Sequence, residues 1–147
     1  MDPTTAYKVG LGTSVHAATD GTVIGVSSKA NEPGGNPESY HVLTQASPSS
    51  AYTLDYDYVQ KPAVRAGDRV KAGDVLGIAE PFVAGSRFAF VEFSLIKYKG
   101  TSRSTDVCPT AYGSRQFNDL HQAALAANNA AFPASAMPTV CLQEHVP

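Results

Sequence analysis

Residues 64–77 of this chain read VRAGDRVKAGDVLG and contain the tripeptide Ala-Gly-Asp twice. Each copy places a glycine where a tight turn needs a positive φ angle, and an apolar residue follows each copy within one or two positions. The repeat therefore predicts two turns at the corners of a small β-barrel or β-sandwich.

The segments on both sides of this repeat are rich in β-branched and aromatic residues. Residues 12–26 predict two short strands joined by a hairpin turn at Asp20-Gly21, and residues 40–58 predict two more strands. The run FAFVEFSLIKY at residues 88–98 is apolar on both faces, which predicts a central strand. The expected fold is mainly β, a small antiparallel β-sandwich or open barrel.

The last third of the chain predicts one helix. Ser114 can cap a helix that extends to about Asn128, because apolar or half-polar residues recur at helical spacing; they are Phe117, Leu120, His121, Ala124 and Leu125. We expect a β domain over residues 1–100 and a C-terminal extension over residues 101–147, with the helix at about 114–128 packed on the same domain.

The two cysteines, Cys108 and Cys141, lie in this extension. Their separation does not fit a CxxC zinc knuckle, and we expect a disulfide between them; two separate buried thiols are the alternative. A disulfide would close a loop of about 33 residues and favour an oxidising compartment such as the periplasm or the cell exterior.

Composition limits the function classes. The chain has 147 residues and 15.4 kDa, which predicts one domain, and 43% hydrophobic residues, enough for a packed core. Lys and Arg number 11 against 13 Asp and Glu, so no basic patch for nucleic acid is expected. No apolar run approaches the roughly 20 residues of a membrane span.

The order of these motifs resembles the lysostaphin/LytM-type zinc peptidase family, whose members cut peptide cross-links in bacterial cell walls. The matching pieces are GTSVHA at residues 12–17, DGTV at 20–23, the double turn at 64–77 and the strand that begins at Phe88. The resemblance covers about residues 9–96. It implies a LytM-like fold, related in shape to the barrel-sandwich hybrid.

Members of that family hold zinc with a His-x-x-x-Asp motif and the second His of a late His-x-His strand, while two further histidines assist the bound water. In this chain the first motif falls on Asp2 and Ala6. The late strand aligns with Phe88 and Phe90, and the remaining histidine with Tyr58. The resemblance therefore implies a degenerate member without catalytic residues, zinc or another cofactor.

The substituted positions predict a binding groove. Phe88 and Phe90 share one face of their strand because side chains alternate along a strand. With Tyr56 and Tyr58 beside them and Glu92 further along, they would hold a ligand by stacking and apolar contact. The alternative is that these aromatic side chains fill a closed core.

The resemblance then implies a non-catalytic module of the bacterial envelope, periplasmic or secreted, from which a leader has been removed. It would bind a peptidoglycan peptide or an envelope protein, with regulation of a cell-wall hydrolase as a further role. An active zinc metallopeptidase with unrecognised ligands and a purely structural β domain are the alternatives. The motifs also resemble a biotinyl or lipoyl carrier, but EPFV at residues 80–83 lacks the lysine of a carrier tip.

Other polar residues lack the spacing of known sites. Side chains are expected to alternate along the predicted strand at residues 51–58, with Tyr56 and Tyr58 on one face and Asp55 and Asp57 on the other. Asp55 and Asp57 could form an acid pair in which one pKa is raised, although such carboxylates are usually solvated. No HxH or HExxH spacing occurs among the four histidines, which are His16, His41, His121 and His145.

Overall fold

The computed structural model describes residues 5–99, 103–131 and 133. Within these residues nine strands form one curled antiparallel sheet, so the predicted mainly-β fold with one main C-terminal helix is confirmed. The strands are β1 (Thr5–Gly10), β2 (Ser14–His16), β3 (Gly21–Ser28), β4 (Ser39–Gln45), β5 (Tyr52–Gln60), β6 (Arg69–Val70), β7 (Val75–Pro81), β8 (Phe88–Lys99) and β9 (Arg103–Val107). A 3₁₀ turn (Lys29–Asn31) follows β3, and the helices are α1 (Pro109–Tyr112) and α2 (Arg115–Ala131).

Strand β8 is central, as its apolar faces predict. Along one edge, the first half of β8 pairs with β1 and the second half pairs with β9. Along the other edge, β8 pairs with β7 near its start and with β5 further along. The remaining order continues from β5 through β4 and β3 to β6. The core lies inside the curl, where Val23, Val42, Val59, Leu76 and Ala89 are completely buried. Strand β9 brings the beginning of the C-terminal extension into the same sheet.

Both Ala-Gly-Asp copies form the predicted turns. Gly67 and Gly73 have φ angles of 95° and 92°, values that favour glycine. In each copy the aspartate carboxylate accepts a hydrogen bond from the backbone N–H three residues earlier, at 3.0 Å for Asp68 and 2.8 Å for Asp74. The repeated sequence therefore encodes the same side-chain-stabilised turn twice.

The hairpin predicted at Asp20-Gly21 is wrong, although both of its strands exist. Strand β2 pairs with β7, whereas β3 pairs with β4 and β6. The reason is that the connecting segment bonds to the second Ala-Gly-Asp turn. The backbone N–H of Ala17 donates to Asp74 O, and the Asp20 carboxylate accepts from the backbone N–H of Ala72.

The alternation predicted along β5 is also wrong. Thr53, Tyr56 and Val59 are buried, a spacing of three instead of two. The register between β4 and β5 shifts, and Tyr58 has a φ of 59°. A left-handed residue redirects the strand. As a result Tyr56 and Tyr58 do not share the face on which the sequence places them.

Helix α2 begins where it is predicted and extends a little further. Its first turn is capped by the Ser114 hydroxyl, which accepts from the backbone N–H of Phe117 at 3.1 Å. The side that faces the sheet agrees with the prediction in part. His121 and Leu125 are buried as expected, whereas Leu120 is 66% exposed and Asn128, which the prediction does not include, is buried. His121 and Asn128 are buried because they form hydrogen bonds with β1, to the Tyr7 hydroxyl and from the backbone N–H of Lys8.

Cys108 lies immediately before α1, with its Sγ 2.9 Å from Thr110 Oγ1. Cys141 lies outside the described residues, so the disulfide between them stays a prediction. His145 and Asp2 also lie outside them. No helix in the described part of the chain is long and apolar enough to cross a membrane.

Candidate binding groove

A cavity of about 520 Å³ opens where β5, β7 and β8 meet the loop after β3. We call it the groove cavity. It is walled by aromatic side chains on the sheet side and by polar and glycine residues on the loop side. Its lining residues are Lys29, Glu32, Pro33, Gly34, Gly35, Asn36, Ser39, Tyr58, Glu80, Pro81, Phe82 and Phe90.

The aromatic wall is a row of four rings. The Tyr58 ring centre lies 4.8 Å from that of Phe90, Phe90 lies 6.0 Å from Phe82, and Phe82 lies 5.3 Å from Phe88. Phe82 is 52% exposed and therefore presents its ring at the mouth of the cavity. The sequence prediction did not include Phe82; its position beside the expected carrier tip gave no sign of a groove.

The structure distributes the five predicted groove residues over three places. Tyr58 and Phe90 line the groove cavity, and Phe88 extends the row through Phe82. Glu92 does not line the cavity; it lies opposite Asp57 in the β5–β8 ladder. Burial is the main cause that raises the pKa of Tyr58, and the charges of Asp57 and Glu92 add to it.

Tyr56 departs from the prediction. Only 3% of it is exposed, and its hydroxyl accepts from the backbone N–H of Ala18 at 2.8 Å. It borders a second cavity of about 740 Å³ between the sheet and α2. The turned backbone at Tyr58 separates the two tyrosines.

Lys29 places a positive charge beside the aromatic wall. Its Nζ lies 3.9 Å from the centre of the Tyr58 ring, 2.6 Å from Asp57 Oδ2 and 3.3 Å from Glu32 Oε2. Lys29 is only 6% exposed. Burial alone would lower the pKa of Lys29, but the hydrogen bond and charge of Asp57 outweigh it and leave the pKa raised. No local sequence pattern singles this lysine out.

His41 joins the carboxylates next to Lys29. Its Nδ1 lies 3.0 Å from Asp55 Oδ2, and its Nε2 lies 2.8 Å from Glu32 Oε1. The hydrogen bond to Asp55 is the main cause that raises the pKa of His41 to about 9. Asp55 and Asp57 therefore have the cationic partners His41 and Lys29, an arrangement that differs from a proton-sharing acid pair.

Two polar groups in the groove cavity lack a partner. Glu80 Oε1 accepts from the side-chain amide of Asn36, but Oε2 is withdrawn from solvent and has no hydrogen-bond partner among the described residues. Ser39 is 1% exposed, and its hydroxyl also has no partner. Buried polar atoms are usually satisfied. Of the five buried side-chain atoms without a partner among the described residues, these two belong to residues that line the groove cavity.

The residues present do not fit a zinc ion of the kind that the resemblance implies. Zinc requires nitrogen, oxygen or sulfur ligands at about 2.0–2.3 Å, and phenylalanine supplies none. The Lys29 ammonium would repel a dication beside Tyr58. Among the described residues no group of three or more His, Cys, Asp and Glu side chains is placed to hold a metal. We therefore derive no zinc chemistry for this groove.

The fold is similar to that of several solved structures. No protein-family model and no curated protein matches the chain. A variant catalytic domain of the prophage-encoded M23 protein EnpA from Enterococcus faecalis is similar over 74% of this chain and 76% of its own, with 26% identity and a TM-score of 0.55. The catalytic domain of the antimicrobial peptidase lysostaphin from Staphylococcus simulans is similar over 74% of this chain and 77% of its own, with 22% identity and a TM-score of 0.52.

A solution structure of lysostaphin matches with 20% identity and a TM-score of 0.55, over 71% of this chain and 40% of its own length. The TM-scores of these neighbours, all above 0.5, indicate a shared fold. The resemblance to the lysostaphin-type M23 peptidase family is therefore confirmed, and the chain has the fold of that family's peptidase domains.

Proposed function

We propose that this chain is a non-catalytic lysostaphin-type module of the bacterial cell envelope that binds a cell-wall peptide in the groove cavity. The observation that supports the proposal is the aromatic wall beside Lys29. It includes Phe90, where the resemblance implies a zinc ligand, and Phe88 and Tyr58, where it implies the two histidines that assist the bound water. Without an activated water the groove has no means to hydrolyse a peptide bond. Its cavity, with aromatic and polar lining residues, can still bind a peptide.

The dimensions of the cavity favour a ligand over a filled core. Its volume of about 520 Å³ lies in the range of about 300–1,000 Å³ that is typical of ligand sites. Phe82 exposes half of its surface at the mouth, and an exposed aromatic ring next to a pocket is a common anchor for a ligand. Gly34 and Gly35 in the loop wall have no side chain that would cover the loop backbone.

The envelope location is part of the proposal. Lysostaphin is described as an antimicrobial peptidase, and EnpA is described as a prophage-encoded M23 protein with a catalytic domain. A periplasmic or secreted location would suit the proposed ligand, and it would permit the predicted Cys108–Cys141 disulfide. Intact-mass measurement with and without reductant, after alkylation, tests that bond.

The first test is metal content. The protein is purified without chelator, dialysed against zinc and analysed for bound metal. We expect near-zero zinc in both states. About one tightly held zinc per chain would overturn the non-catalytic proposal, and release of new amino groups from purified peptidoglycan would do the same.

The second test is binding to peptidoglycan sacculi and to a soluble synthetic stem peptide. Phe82→Ser changes an exposed ring at the mouth, and Leu120→Ser changes an exposed apolar residue on α2, away from the groove cavity. We expect Phe82→Ser to weaken binding about tenfold and Leu120→Ser to leave it unchanged. Equal binding by both variants, or no binding by the unmodified chain, would overturn the proposal.

A further inference from the structure

We propose that the groove cavity recognises a primary ammonium group of its ligand, held by the Glu80 carboxylate and the Ser39 hydroxyl beside the aromatic wall. This inference rests on the proposed peptide binding and adds the chemical group that is recognised. The free amine of a diamino acid in a cell-wall peptide is the class of ligand group that fits.

Glu80 supplies the first observation. It lies on β7 directly opposite Phe90 in the β7–β8 ladder, which places it beside the aromatic row. One carboxylate oxygen is occupied by Asn36, and the other has no donor in the described part of the chain. An ionised carboxylate accepts several hydrogen bonds, and leaving one of its oxygens buried without a donor is unfavourable. A donor from a ligand would remove that penalty.

Ser39 supplies the second observation, and it is independent of Glu80. It lies at the start of β4, is 1% exposed and lines the same cavity, yet its hydroxyl has no partner in the part of the chain that the structure describes. An ammonium group has three donors and no acceptor. It can therefore satisfy the carboxylate and the hydroxyl together, whereas an anionic ligand would leave the carboxylate without a donor and repel it.

Lys29 is not the ammonium group that pairs with Glu80. Its ammonium already lies against both Asp57 oxygens, Glu32 and the Tyr58 ring. Its charge is thus balanced by Asp57 and Glu32, while the charge of Glu80 has no ion-pair partner within the described residues.

The neighbouring rings select among cations. Aromatic faces attract an ammonium group, and Tyr58 in this cavity already binds one from Lys29. A divalent metal would need more oxygen ligands than one carboxylate and one hydroxyl provide. The site therefore fits an organic ammonium better than a metal ion.

The test compares two synthetic pentapeptides of L-Ala, D-isoglutamate, L-Lys, D-Ala and D-Ala, both acetylated at the N terminus. One has a free lysine ε-amine, and in the other that amine is acetylated. Calorimetric or NMR titration measures binding to the full chain, to Glu80→Gln and to Glu38→Gln. Glu38 is exposed and does not line the cavity, so its variant removes the same charge outside the proposed site.

We expect the full chain and Glu38→Gln to bind the free-amine peptide at least about tenfold more tightly than the acetylated one. Glu80→Gln should bind both peptides with the affinity that the full chain has for the acetylated one. Equal affinity of the full chain for both peptides would overturn this inference and leave peptide binding intact. Failure to bind either peptide would instead overturn the proposed function. A preference retained by Glu80→Gln would also contradict the assignment, and if that variant does not fold, the two-peptide comparison on the full chain decides.

Discussion

The ammonium group of Lys29 lies 3.9 Å from the centre of the Tyr58 ring. Tyr58 stands where the resemblance places a histidine, so the ring faces a cation that belongs to the protein. Asp57 and Glu32 offset the cost of burying that charge, and both distances are within ion-pair range. The contact fastens the 3₁₀ turn to β5, and it thereby holds the loop wall of the groove cavity against its aromatic wall.

The first prediction concerns this ion pair. Lys29→Met replaces the lysine with an uncharged side chain of similar length. The Asp57 carboxylate then lies in the interior without its closest cation. Breaking a buried pair from one side is strongly unfavourable, and we expect the free energy of unfolding to fall by about 3 kcal/mol. Denaturant unfolding measures it. Lys71→Met, at an exposed lysine, is the control and should change the free energy of unfolding by less than about 0.5 kcal/mol.

The second prediction concerns pH. The pKa of His41 is raised to about 9, mainly by its hydrogen bond to Asp55, from an ordinary value near 6.5. Its contribution to stability is therefore complete below pH 6.5 and is lost as the pH rises through 9. Between pH 7 and pH 9.5 we expect a loss of about 1–2 kcal/mol, after allowance for solvent screening.

Denaturant unfolding across that pH range tests the role of His41. His41→Asn should remove most of the pH dependence, and His16→Asn, at an exposed histidine, should retain it. Parallel profiles for the unmodified chain and His41→Asn would show that another group is responsible.

Local signals in the sequence were sufficient for some elements. Gly67 and Gly73 identify two turns because a positive φ is a property of the residue itself. Strand β8 is identifiable as central because it is apolar on both faces, a consequence of strands on both of its edges. The Ser114 cap likewise depends only on residues within one turn.

Features that depend on distant partners were not predictable in this way. Strand β2 pairs with β7 instead of its neighbour β3, since segment 17–20 bonds to a turn more than 50 residues away. Tyr56 and Tyr58 separate because the backbone turns at Tyr58. Lys29 is a single charged residue in a polar segment, and only the fold brings Asp57 and Glu32 to it.

The third prediction tests the loop wall. A Cβ atom added at Gly35 would overlap the backbone carbonyl oxygen of Lys29, so Gly35→Ala must displace the 3₁₀ turn. We expect a loss of about 1–3 kcal/mol in stability and weaker binding of the stem peptide. Gly10→Ala is the control, because a Cβ there meets its nearest atom at 3.7 Å. Unchanged stability and binding in Gly35→Ala would contradict the described loop position.

The last prediction concerns the attachment of helix α2. Tyr7 Oη lies 2.6 Å from His121 Nε2, and the imidazole stacks on Phe117 with a ring-centre distance of 5.4 Å. Burial lowers the pKa of His121, so the folded state favours the neutral ring. This contribution to stability is present above pH 6.5, the ordinary value, and is lost as the pH falls through the lower folded pKa.

We therefore expect α2 to loosen from the sheet in mild acid, before the β-sheet itself unfolds. Hydrogen exchange of residues 115–131 at pH 7.5 and pH 5.5, corrected for the intrinsic exchange rate, should show protection that decreases at the lower pH. His121→Phe keeps a ring against Phe117 but cannot be protonated, so its α2 protection should not depend on pH. His16→Asn should behave like the unmodified chain. If His121→Phe loses protection in acid to the same extent as the unmodified chain, protonation of His121 is not what releases the helix.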